Sequence, residues 1–62
     1  MPLLQQLERV REGREMDTRE LSARSGVSAD SISDFEELRR IASPRTARRL
    51  ADALGVRAED LQ

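Results

Sequence analysis

Apolar residues recur along this chain at intervals of three and four, the spacing of a stripe buried along one side of a helix. Leu3, Leu7 and Val10 share one such face, and Pro2 suits a first turn, so a helix is predicted from about Pro2 to Arg14, weakened at its end by Gly13. Asp17-Thr18-Arg19-Glu20 has the form of a capping box, with Met16 and Leu21 placed as a hydrophobic staple. A second helix, about Thr18–Ser25, is closed by Gly26, whose freedom allows a sharp reversal. Val27 follows as a small buried plug and Ser28 as an N-cap, and Ile32 and Phe35 turn inward from a third helix. Ser43-Pro44 opens a fourth, with Ser as N-cap and Pro at N1. Ala47, Leu50, Ala51 and Leu54 then follow the i, i+3, i+4, i+7 rule and close the core, and Gly55 ends the helix. Val56 packs, and a short fifth helix, about Ala58–Gln62, returns Leu61 to the core.

Two helices joined by a three- to four-residue turn containing Gly form a helix-turn-helix, and Leu21–Glu36 has that form. At Leu21-Ser22, Gly26-Val27-Ser28, Ile32-Ser33 and Glu36 the chain resembles the Cro/repressor-type (XRE-like) helix-turn-helix family. Ser43-Pro44, Thr46, Leu50-Ala51, Ala53-Leu54-Gly55-Val56 and Leu61 continue the resemblance in register and without a gap, so that it covers about Leu7 to Leu61. It implies one all-α, five-helix, lambda-repressor-like domain over residues 1–62, acting as a DNA-binding transcriptional regulator with the third helix in the major groove. It also implies an ion pair between Arg11 at the end of helix 1 and Glu36 at the end of helix 3, the alternative being that both face solvent.

Several positions depart from the family's pattern. Leu38 stands where the family has Gly, two residues after the Glu, as the chain leaves the helix with positive φ. Leucine there costs on the order of 1 kcal/mol. Either helix 3 runs on into Arg39-Arg40, or the exit is remodelled with Leu38 and Ile41 packed inward; the longer helix is the expectation. Asp30, Asp34 and Glu37, spaced i, i+4 and i+7, make the outer stripe of helix 3 acidic where the family carries polar or basic residues. That stripe is a solvated face, a reader of cytosine N4 groups, or a face for a basic protein partner. Thr18 replaces a Gln that forks onto adenine, and Arg57 replaces a Ser or Thr cap, so the last helix is expected to fray.

Composition narrows the functions available. Sixty-two residues lie near the lower limit for a core without staples, and the chain has neither cysteine nor histidine. Disulfides, thiolate zinc sites and a His or Cys base or nucleophile are therefore out of reach, and the serines have simpler roles as caps and turn formers. Glu36 and Glu37 are adjacent on a helix and point about 100° apart, so they are no catalytic pair. No enzyme activity, cofactor or metal is expected. No apolar run approaches the roughly 20 residues of a membrane span, and no signal pattern opens the chain, so a cytoplasmic protein is the expectation.

The net charge of −1 hides a strong asymmetry. Residues 1–38 carry five Arg and nine acids, residues 39–49 five Arg and no acid, and residues 50–62 a net −2. Such a basic segment suits a polyanion. All eleven basic residues are Arg, which forks onto phosphates and guanine edges, although a GC-rich genome gives the same bias. With the family's docking in mind, phosphate contacts fall to Arg19, Ser28, Arg39, Arg40, Ser43 and Arg45, beside the helix starts and in the helix 3–4 connection. Base reading falls to Thr18, Ala29, Asp30, Ser31, Ser33 and Asp34. The expected partners are double-stranded DNA and a second copy, held weakly through the helix 4–5 region or Arg39–Ala42. The alternative is an adaptor or antitoxin-like module whose acidic helix 3 binds a basic protein.

Overall fold

Short polar punctuation sets where each helix begins and ends. The computed structural model describes residues 3–62 and contains four α-helices: α1 (Leu7–Gly13), α2 (Thr18–Ser25), α3 (Ala29–Glu36) and α4 (Pro44–Leu54). A single 3₁₀ turn, Ala58–Leu61, follows in place of a fifth α-helix, and no strand occurs among the described residues. Three starts share one device, a side-chain oxygen that accepts from the N–H of N3: Asp17 from Glu20 at 2.8 Å, Ser28 from Ser31 at 3.1 Å, and Ser43 from Thr46 at 3.2 Å. In α2 the capping box is only half made, because the Glu20 carboxylate turns to Arg24 instead, accepting from its Nε at 3.0 Å.

The first helix starts later than its apolar spacing predicts. Pro2 lies outside the described residues, and Leu3 and Leu4 are not helical. Leu4, not Leu3, enters the core, and the Gln6 N–H donates to the Leu61 carbonyl at 2.9 Å rather than to a helical partner. This bond ties the start of the chain to its last turn. Buried Leu61 seats that turn, and the Arg57 N–H donates to the Asp60 carboxylate at 3.0 Å.

The helix exits divide into two kinds. Gly26 (φ 76°) and Gly55 (φ 72°) close α2 and α4 in the left-handed region, as Gly does at little cost. After α1 and α3 the same region is occupied by Glu15 (φ 58°) and Leu38 (φ 62°). α3 therefore does not run on into Arg39-Arg40. The Leu38 N–H donates to the Phe35 carbonyl at 3.2 Å and the Arg39 N–H to the Asp34 carbonyl at 2.9 Å, a Schellman closure that satisfies the last carbonyls. Nor do Leu38 and Ile41 pack inward; they are 46% and 54% exposed, and the small Ala42 fills the core beneath the connection.

The core gathers Leu4 and Leu7, Leu21, Val27, Ile32 and Phe35, the inner face of α4 and Leu61, with Val10, Met16 and Val56 packed against it. No charged or polar residue is fully buried among the described residues. One long-range tie caps α4: the Arg14 Nε donates to the Leu54 carbonyl at 2.9 Å. Together these contacts hold α3 with its outer face free.

Candidate nucleic-acid interface

The orientation of α3 is fixed from behind by one ion pair. Arg11 on α1 meets Glu36 at the end of α3 in a fork, Nε to Oε2 at 2.6 Å and Nη2 to Oε1 at 3.1 Å, while Nη1 donates to the Met16 carbonyl at 2.8 Å. The two side chains are only 11% and 7% exposed. Hydrogen bonding to Glu36 raises the Arg11 pKa above its ordinary value, against the opposing effect of burial. All three guanidinium nitrogens are used, so α1, the α1–α2 turn and α3 are clamped at one point.

The outer face of α3 is arranged differently. Its acidic stripe is met by the two arginines of the connection, which the left-handed turn at Leu38 folds back over the helix. Asp34 Oδ1 accepts from Arg39 Nε at 3.2 Å and Nη2 at 2.9 Å, and Arg39 Nη1 donates to Glu37 at 2.6 Å. Hydrogen bonding to Asp34, then the charge of Glu37, raises the Arg39 pKa. Arg40 Nη1 donates to Ser31 Oγ at 3.0 Å and lies 3.7 Å from Asp34 Oδ2. The Arg40 guanidinium carbon sits 4.9 Å from the centroid of the Phe35 ring. Glu37 also accepts from Ser33 Oγ at 3.0 Å. Of the stripe, Asp30 has no ion pair among the described residues.

Thus Ser31, Ser33 and Asp34 are brought together with Arg39 and Arg40 in one polar network, with Ser28 joined through its hydroxyl to Ser31 Oγ at 3.0 Å. Ala29 is partly buried in the first turn of α3, and Thr18 partly buried in that of α2. Arg19 on the first turn of α2 and Arg45 on that of α4 are exposed and make no ion pair among the described residues, as do Arg48 and Arg49 further along α4. Ser43 is engaged as the α4 N-cap, its hydroxyl donating to Thr46 Oγ1 at 3.0 Å. The pairing of Arg39 with Asp34 has no signal in sequence spacing: the residues are five apart, beyond the three or four at which helical side chains meet.

A family model described as helix-turn-helix matches residues 7–61. No curated protein and no solved structure gives a significant match. The matched span runs from the first residue of α1 through the buried leucine of the last turn, and so takes in every element that positions α3. The chain belongs to the helix-turn-helix family of the XRE, lambda-repressor-like type, a family of DNA-binding regulatory domains.

Proposed function

We propose that the protein is a sequence-specific DNA-binding transcriptional regulator, acting as a repressor by occupying its site. α3 enters the major groove, and the starts of α2 and α4 rest on the phosphates to either side, with Arg19, Ser28, Ser43 and Arg45 as backbone contacts. The observation that carries this reading is the pairing of Asp34 and Glu37 with Arg39. An acidic recognition helix repels a polyanion; one whose Asp34 and Glu37 are met by Arg39, with Arg40 beside Asp34, repels it less. Residues 28–49 hold five Arg against four acids, and Arg11 from α1 takes up one of those acids, Glu36. That segment, which carries α3 and most of α4, is therefore locally positive in a chain of net charge −1.

The same pairing weighs against the adaptor reading, because two of the three carboxylates a basic partner would grip are occupied within the chain. Exposed Leu38 and Ile41 offer a small apolar contact for a second copy, consistent with a weak dimer formed on two-fold DNA sites. No cofactor or metal enters this scheme, and a cytoplasmic protein at the nucleoid fits it. Among the described residues no helix is long and apolar enough to cross a membrane.

A salt series on random duplex DNA tests the proposal. Log K is expected to fall linearly with log salt, with a slope of about −0.9 per phosphate neutralised. Absence of binding at low salt by the folded protein would overturn it.

A further inference from the structure

Arg39 and Arg40 are neighbours in sequence but differ in what they have left to give. All three nitrogens of Arg39 are committed to the carboxylates of Asp34 and Glu37. Arg40 is tied at Nη1 alone, to Ser31 Oγ, with Asp34 Oδ2 nearby, and its plane lies over Phe35. Neither its Nε nor its Nη2 has a partner among the described residues, and the side chain is half exposed. Those two nitrogens form the side-on edge of the guanidinium, the edge that makes two parallel hydrogen bonds to a flat acceptor pair. Asp34, for its part, has Oδ1 taken by Arg39 and Oδ2 facing Arg40, so its carboxylate is not free to accept from a cytosine amine.

On the reading of the protein as a major-groove binder, on which this rests, we infer that Arg40 is the base-reading residue of the α3 face. Its free Nε–Nη2 edge takes guanine O6 and N7. Ser31 and Asp34 are positioning residues that hold it there, and Arg39 cancels the carboxylate charge such an arrangement needs. The alternative, Arg40 as a simple phosphate contact, leaves the anchoring unexplained. A phosphate contact needs only the charge, whereas Arg40 is held at Ser31 and over the Phe35 ring, so part of its rotamer freedom is spent before DNA arrives.

The test starts from a randomised duplex DNA pool, from which the wild-type protein selects its preferred site. Affinity is then measured across a salt series for that site, for the site with its preferred G·C pair replaced, and for random duplex. R40K keeps the charge but not the fork. It is expected to bind random duplex with the wild-type salt slope and to lose roughly tenfold to a hundredfold of discrimination at one G·C position. D34A is expected to lose discrimination at that same position while binding random duplex no more weakly than wild type, a split that loss of fold would not produce. Full discrimination by R40K or by D34A overturns the inference while leaving the regulator reading standing. Failure of the wild type to bind random duplex at low salt overturns both.

Discussion

α3 carries two arginine–carboxylate contacts of the same chemistry and opposite meaning. Behind the helix, Arg11 and Glu36 are nearly sealed from solvent, at 11% and 7% exposure. In front, Arg39 is 58% exposed and Asp34 31%. Burial decides the difference. A sealed pair offsets two desolvation costs and adds little net stability, but losing either partner strands the other charge. An open pair is screened by water and salt and contributes little to stability. The first sets where the helix points; the second sets what charge the helix presents.

Breaking the rear pair should have the largest effect. Glu36→Gln leaves Arg11 without its counter-charge and is expected to destabilise the fold by roughly 3 kcal/mol or more. In a domain of this size that lowers the thermal midpoint by at least about 10 °C. An unchanged midpoint would mean the pair does not clamp the helix. Next in size is the exit that aims the front pair. Leu38→Gly removes the left-handed strain of a half-exposed leucine and is expected to raise stability by about 1 kcal/mol in urea unfolding, offset in part by glycine's entropy. Ile41→Ser touches neither pair. It is expected to leave monomer stability alone and to reduce cooperativity on two-fold sites, read as a lower Hill coefficient. Arg39→Ala, which breaks the front pair, should leave the thermal midpoint essentially unchanged.

What could be read from the chain follows the same division between local and long-range causes. Ser28, Ser43-Pro44, Gly26 and Gly55 mark helix ends by chemistry that acts within four residues, so α2 and α4 have the predicted bounds. α1 could not be bounded that way. Its start is set by the Gln6–Leu61 bond between opposite ends of the chain, and periodicity cannot choose Leu4 over Leu3 without it. The exit of α3 departs from expectation because the local penalty on a left-handed leucine does not act alone. Closing the helix carbonyls and burying Ala42 outweigh it. At the site, the Arg11–Glu36 contact spans 25 residues, and only the family resemblance pointed to those positions. The Arg39–Asp34 contact was invisible for a related reason: it exists because Leu38 turns the chain back on itself.

The central claim is that Arg39 makes an acidic recognition helix tolerable to DNA. It is tested most directly by titrating Arg39→Ala with random duplex at low salt, beside the wild type. The account predicts a folded protein whose affinity falls at least tenfold, because Glu37 then faces the phosphates unmatched and Asp34 keeps only Arg40. Binding as tight as wild type would contradict it.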